Sequence, residues 1–373
     1  MRHSRPLAAA SGVRMGRYSW APRTIHEFNF GANVSQSQTV DLKQVGSLTR
    51  PIRKITLRAT GSVTAAGGGG VATLTGEAPL QFAINNVRIN MPYRGVTFPR
   101  ACDAQGRDLY LAQIFRQGNR TTLTAPTPGA GATGTFEATC ALGLTVPGPV
   151  EELCYWHPQR MGSMSMELAV GALTDYASTN VASTSGLRIR VEVEEMSGPL
   201  SDVPGPDEPH FVRVFGSQRL PHESQARDLP STGLSTGLMD WLLLRVRDAS
   251  VVGDADRVDG LVRRFTLTQG ARNLFELMGV RALAVKNQDE NPMGAAIMSG
   301  LVFWKPSRDN LFHELVNLGL DPATLHADTQ DAVEDGVTAV APAAGDHTQI
   351  TTGSLVPTPE CVAEFARNGI RLV

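Results

Sequence analysis

The chain has 373 residues, 42% hydrophobic and 19% charged, with a formal net charge of −2 at pH 7. That length exceeds what one hydrophobic core usually organises, so two domains are expected. The near-neutral balance excludes the global basic field that holds nucleic acid irrespective of sequence. The 37 Gly and 23 Pro residues supply the turns an all-β chain needs. Cys102, Cys140, Cys154 and Cys361 never stand at CxxC spacing, which argues against a zinc ribbon or a thioredoxin-like motif. Four cysteines in so long a chain fit a reducing cytoplasm better than a disulfide scaffold.

The first residues carry Arg2, Arg5, Arg14, Arg17 and Arg23, with Tyr18 and Trp20 among them and no acid before Glu27. One reading is a solvated basic tail. The other is an arm that lies on an anionic surface with its aromatics at the interface. The segment has no apolar core long enough for a signal peptide, and no stretch has transmembrane length, so assembly in the cytoplasm is expected.

Strand signals follow. Ile55, Leu57, Ala59 and Gly61 alternate with Lys54, Thr56, Arg58 and Thr60, which predicts a strand with the first set buried. Residues 78–91 read as a strand with an extra residue at Asn85-Asn86, a bulge. Residues 108–117 predict a helix with Leu109, Ala112 and Phe115 on one stripe and Gly118 past its end. Phe136, Ala138, Cys140, Leu142, Leu144 and Val146 form a long alternating run, and Met164, Met166, Leu168 and Val170 repeat it. Leu187, Ile189, Val191 and Val193 close the half, opposite Arg188, Arg190, Glu192 and Glu194.

Residues 196–209, MSGPLSDVPGPDEP, read as a linker, after which the plan restarts. Strands are predicted at 210–215, at 239–252 with Arg245 and Arg247 on one side, at 261–269 and at 294–306. A helix is predicted at 271–278, with Leu274, Leu277 and Met278 as its stripe. Residues 324–347 mix strand signals with an acidic loop. A last helix has Thr358 as N-cap, Pro359 in its first turn and Gly369 at its stop. The division is a basic arm over 1–27, one sandwich over 28–196, a linker over 197–209 and a second sandwich with the C-terminal helix over 210–373.

No catalytic pattern accompanies this plan. The eight histidines show neither HxH nor HExxH spacing, and neither a GxSxG elbow nor a GxxxxGK[ST] loop is present. Glu151 and Glu152, adjacent on a strand, would point to opposite faces and share no cleft. Two sandwiches without such a constellation suit a building block better than an enzyme, and no cofactor is implied.

Four segments resemble one family. These are VDLKQVGSLTRPIRKITLRATGSVT (40–64), APLQFAINNVRINM (78–91) with the helix after it, RRFTLTQGARNLFELM (263–278), and SGLVFWKPSRDNLFHELVNLGL (299–320). Together they resemble the major capsid proteins of tailless icosahedral double-stranded DNA phages with an internal membrane, from about Phe28 to the end. The resemblance implies an all-β double jelly roll: two tandem eight-stranded sandwiches, a short helix in each and a C-terminal helix. It also implies a homotrimer of pseudo-hexagonal outline that tiles a virion facet beside neighbouring capsomers, with penton and minor capsid proteins at the vertices. Arg2, Arg5, Arg14, Arg17, Tyr18, Trp20 and Arg23 would then face the internal lipid membrane, with no sequence-specific contact to nucleic acid. Two other readings stay open: a carbohydrate-binding or carbohydrate-cleaving jelly roll, which would need aromatic platforms on a concave face, and a minor capsid or spike protein of the same virus type.

Overall fold

The structure is a computed structural model. It describes residues 19–68, 77–98, 100–117, 123–124, 127–145, 153–173, 180–199, 203–221, 226–229, 237–248, 258–278, 300–306, 315–318, 323–329, 338, 340, 343–370 and 372.

The strands of the first half are β1 (Ser19–Phe30), β2 (Gln36–Asp41), β3 (Ile52–Ala65), β4 (Asn86–Asn90), β5 (Cys102–Ala104), β6 (Leu123–Thr124), β7 (Thr133–Gly143), β8 (Ser165–Val170), β9 (Val181–Thr184) and β10 (Leu187–Ser197). Those of the second half are β11 (Phe211–Pro221), β12 (Ala226–Leu229), β13 (Leu238–Arg247), β14 (Val262–Gln269), β15 (Arg272–Met278), β16 (Leu301–Trp304), β17 (Val316–Asn317), β18 (Ala323–Thr329) and β19 (His347–Pro357). Helices run over Leu42–Val45, Ala78–Ala83, Gly106–Gln117 and Pro359–Arg367.

The two halves repeat one topology. In the first, β1, β10, β3 and β7 pair in that order, and β2, β8, β4 and β5 form the facing set. In the second, β11, β19, β13 and β16 pair in order, and β12, β18, β14 and β15 face them. Setting aside the short β6, β9 and β17, each half has eight strands among the described residues, and the spatial orders coincide: first, eighth, third, sixth against second, seventh, fourth, fifth. That is a jelly roll built twice. Period-two burial drives each one. Ile55, Leu57, Ala59, Ile189, Val191 and Val193 are fully buried, whereas Arg58, Arg188 and Arg190 stand in solvent.

Two predicted elements are different in the structure. Residues 78–83 are a helical turn instead of a strand: Pro79 in its first turn has the fixed φ a helix start accepts, and Leu80, Phe82 and Ala83 bury together. The phase break at Asn85-Asn86 is therefore a helix-to-strand junction and not a bulge. Residues 271–278 are not a helix but strand β15, paired antiparallel to β14 from Gln269–Arg272 to Arg264–Met278. Gly270, at φ 56°, occupies the first centre of a two-residue turn that needs positive φ, which folds the chain back as a hairpin. Seven residues are too few for periodicity to separate the two states. The C-terminal helix forms as predicted: the Thr358 side chain accepts from the Cys361 N–H, and Gly369 lies at φ 76°.

The sheets of the two halves are not separate. The free edge of β5 pairs in parallel with β11 at Phe215 and Cys102, and the Phe215 N–H donates to the Ala101 carbonyl at 3.0 Å. One nine-stranded sheet thus runs from β16 through the second half's first layer into the first half's second layer and ends at β2.

Candidate functional site

The two sandwiches meet in a seam that fixes one against the other. The helix Gly106–Gln117 lies in it. Its predicted stripe, Leu109, Ala112 and Phe115, is buried, but so are Leu111 and Ile114. A helix apolar on several sides needs cover on several sides. It packs on β7 of its own half and against the outer face of the second half's first sheet, where Phe115 stacks on Phe303 with centroids 5.1 Å apart and planes at 6°. Phe303 stacks in turn on Trp241, whose ring lies over Gly353. A Cβ on Gly353 would come within 2.0 Å of the indole nitrogen, so only glycine lets β13 and β19 carry that ring.

Two buried ion pairs pin the seam. Arg245 Nε donates to Asp108 Oδ1 at 2.8 Å, and the Thr351 hydroxyl donates to Asp108 Oδ2 at 3.0 Å; the side chains of Arg245 and Asp108 are 1% and 0% exposed. Asp108 belongs to the first half, Arg245 and Thr351 to the second. Arg213, also buried, pairs with Asp240 of its own half and donates to the Thr145 carbonyl of the other at 2.6 Å. The Trp156 indole N–H donates to the Arg213 carbonyl at 2.8 Å. Such pairs cost desolvation, and removing one partner leaves an uncompensated buried charge.

The interdomain segment is held by a third cluster. The Tyr93 hydroxyl donates to His210 Nε2 at 2.6 Å and accepts from the His157 backbone N–H at 3.0 Å. His210 Nδ1 donates to the Glu208 carbonyl at 2.8 Å, which fixes the neutral tautomer. Burial pushes the His210 imidazole down to about 4, with the nearby Arg160 and His157 adding to it, and the hydrogen bond to Glu208 opposes the shift. The Arg160 side chain is 1% exposed and reaches Glu360 of the C-terminal helix at 2.6 Å, the Arg94 carbonyl at 3.1 Å and the Pro206 carbonyl. Residues 203–209, read from sequence as a plain linker, are therefore strapped to the first half, chiefly at Arg160, which also holds the C-terminal helix of the second.

The residues singled out at the N-terminus divide in two. Arg2, Arg5, Arg14, Arg17 and Tyr18 lie outside the described residues. Trp20 and Arg23 stand in β1, paired with β10. Arg23 makes a two-pronged ion pair with Glu195, both distances 2.9 Å, and the Arg53 guanidinium sits over the Trp20 ring at 4.9 Å. The seam residues were missed by sequence reasoning, although one signal was visible. Arg245 interrupts the otherwise apolar LLLRV run, and a cation in a buried strand needs a partner.

All four cysteines are buried and outside any disulfide. Burial pushes Cys140 up to about 12 and raises Cys102 and Cys361 as well, so these thiols are packing groups and not nucleophiles. Among the described residues no three His, Cys, Asp or Glu side chains are placed to share a metal, and no helix is long and apolar enough to cross a membrane.

No family model and no curated protein matches the chain. Solved structures do. The chain is similar to the major capsid protein of Sulfolobus Turreted Icosahedral Virus, at a TM-score of 0.62 and 13% identity over 92% of this chain and 98% of that one. It is similar to VP54 of PBCV-1, which was fitted into a reconstruction of the virophage Sputnik, at 0.55 and 11% over 92% and 95%. It is also similar to the major capsid protein P2 of bacteriophage PM2, at 0.51 and 10% over 91% and 98%. At such identities the likeness is one of fold. The chain is a double jelly roll of the kind these capsid proteins share.

Proposed function

We propose that the protein is the major capsid protein of an icosahedral virus, three copies of which form a pseudo-hexameric capsomer over an internal membrane. The observation that carries this is the repeat of one topology joined edge to edge. Within the chain, β5 of one sandwich meets β11, the first strand of the next. The equivalent edges at the far ends, β15 of the second sandwich and β1 of the first, pair with nothing further among the described residues. A second copy placed so that its β1 end follows β15 repeats the internal seam between chains, and three copies give six similar sandwiches that close a ring. Such head-to-tail contacts form rings when the rotation closes, and closure removes the exposed edges.

The basic residues of the N-terminal segment complete the reading. Trp20 and Arg23 are engaged in the sheet, so Arg2, Arg5, Arg14, Arg17 and Tyr18 are the candidates for contact with anionic lipid on the inner side. Neighbouring capsomers and vertex proteins would be the other partners, and the virion, assembled in the host cytoplasm, the location.

Light scattering of the purified chain tests the ring. A particle of three times the chain mass, seen as hexagonal plates by negative-stain microscopy, is expected, and a monomer at high concentration and physiological salt would end this reading. Removing residues 1–18 tests the arm: the trimer is expected to persist while association with anionic vesicles is lost. Unchanged vesicle binding would discard the arm's role alone.

A further inference from the structure

The cluster around Tyr93 and His210 joins three parts of the chain: residues 203–209, the start of β11, and the C-terminal helix Pro359–Arg367. The buried His210 grips the helix through its backbone. Its N–H donates to the Thr358 hydroxyl at 3.3 Å, and its carbonyl accepts from the Thr358 N–H at 3.0 Å. Thr358 is the N-cap, so the place of His210 sets where the helix begins. His157, also buried, holds residues 203–209. Its Nε2 donates to the Pro204 carbonyl at 3.0 Å, and its Nδ1 accepts from the Gln159 N–H at 3.3 Å.

Each ring thus uses one nitrogen as donor and the other as acceptor, and neither has a place for a second proton. A proton on His210 Nε2 would face the Tyr93 hydroxyl, whose oxygen already accepts from the His157 backbone and whose hydrogen would lose its acceptor. A proton on His157 Nδ1 would face the Gln159 N–H. Tyr155 stacks on His210 at 4.6 Å and 14° and lies 6.4 Å from His157. Among the described residues, the charged groups around the two rings are Arg160, Asp207, Glu208 and Glu360. Glu360 and Asp207 pair with Arg160, Asp207 pairs also with Arg94, and the Glu208 carboxylate accepts from the Gly205 N–H. The acids oppose the effect of burial, but burial outweighs them and lowers both imidazoles. The elements that meet here are held unequally. β11 is locked between β5 and β19. The helix has nine residues, too few to persist alone, and it can leave without breaking any strand pairing. It docks through Phe365, edge-on to Phe211 at 5.7 Å, and through Cys361, which shares one apolar cluster with Cys154.

We propose that His157 and His210 form a reversible acid latch: charging both imidazoles frees residues 203–209 and undocks the C-terminal helix while the sheets stay paired. The sign follows from the protons. The open form binds them at an ordinary imidazole's 6.5 and the closed form, at His210, only at about 4, so the latch is closed above about pH 6.5 and opens as pH falls toward 4. Opening bares Phe211, Phe365 and Cys361. The latch lies within one chain and does not depend on the capsid reading.

Thiol labelling of the full chain with 4,4′-dithiodipyridine, which reacts in acid, tests it. Each cysteine is located by peptide mass, and its rate is divided by that of the urea-unfolded chain at the same pH. Between pH 7 and pH 4.5 the protection of Cys361 is expected to fall about tenfold or more and to return on neutralisation, while Cys102 in β5 and Cys140 in β7 stay protected. Cys361 unchanged at pH 4.5, exposed without recovery, or exposed together with Cys102 and Cys140 overturns the latch. His210→Gln is expected to shrink the change at Cys361 at least about threefold; an equal change in that variant overturns it as well. Should His210→Gln fail to fold, His157→Asn keeps an acceptor for the Gln159 N–H and removes one titrating ring. It is expected to move the midpoint of the Cys361 transition to lower pH and make it less steep, and an unmoved midpoint overturns the latch equally.

Discussion

The outer face of β11, β19, β13 and β16 and the outer face of β1, β10, β3 and β7 hold the same place in two copies of one topology, yet their chemistry is opposite. The first carries Phe215, Trp241, Leu243 and Phe303, all buried under the other sandwich, with Arg245 and Arg213 neutralised in dry ion pairs. The second carries a ladder of solvated pairs. Glu27 meets Arg188 and Arg190 at 3.1 Å, Glu194 meets Arg53 at 2.8 Å and Lys54 at 3.3 Å, and Arg58 meets Glu137 at 3.7 Å. Topology fixes where a strand lies in its sheet. What covers the sheet decides which side chains its outer face can hold. A permanent seam within one chain takes an apolar face, whereas a face turned to solvent takes paired charges.

The contrast can be broken at the seam first. Asp108→Ala strands Arg245 in a dry environment and removes the acceptor of Thr351, with an expected loss of about 3–5 kcal/mol in chemical unfolding. A loss below about 1 kcal/mol would mean that water reaches the pair, and that the seam is no drier than the ladder.

Acid is expected to come next. His210 is neutral in the folded chain, with its imidazole lowered to about 4 from an ordinary 6.5, and His347 behaves alike. The unfolded chain therefore binds more protons between those values. The stability these histidines contribute is complete above about pH 6.5 and is lost as pH falls toward 4, up to roughly 3 kcal/mol for each. Urea midpoints at pH 7, 5.5 and 4 should fall in that order, and His210→Gln should flatten the slope. A slope unchanged in that variant would remove His210 from the account.

Gly353→Ala pushes a methyl group into the Trp241 ring and should cost about 1–3 kcal/mol, visible also as a change in tryptophan fluorescence. The smallest effect belongs to the ladder. Glu27→Gln should change stability by about 0–1 kcal/mol, and less in high salt, because its partners are half exposed. A large, salt-insensitive loss would show that the ladder face is covered as the seam is.

Much of the chain could be read without coordinates. The alternation in β3, β7, β8 and β10 identified their inward faces residue by residue, since a strand half in solvent must alternate. The C-terminal helix announced both its ends through Thr358, Pro359 and Gly369. Short segments were less legible. Residues 271–278 satisfy a helical stripe and a strand equally well, and the pairing with β14 decided between them. Residues 78–83 are the converse case, where Pro79 and burial made a turn of helix from an apparent strand.

The seam lay further out of reach. Nothing local to Asp108 names Arg245, 137 residues away, as its partner. Leu111 and Ile114 lie off the predicted stripe and are buried only because a second sandwich covers that side of the helix. Arg107, Arg219, Arg245 and Arg247 come from three separated segments, and they line one cavity because β11 and β13 flank β19 beside the start of the helix Gly106–Gln117. By itself the sequence determined the all-β class, the tandem plan and the inward faces of the long strands, because those follow from local periodicity and turn chemistry. The pairing of the halves, the dry charges between them and the clustering of the arginines were decided by tertiary structure alone, because they depend on contacts between residues far apart in the chain.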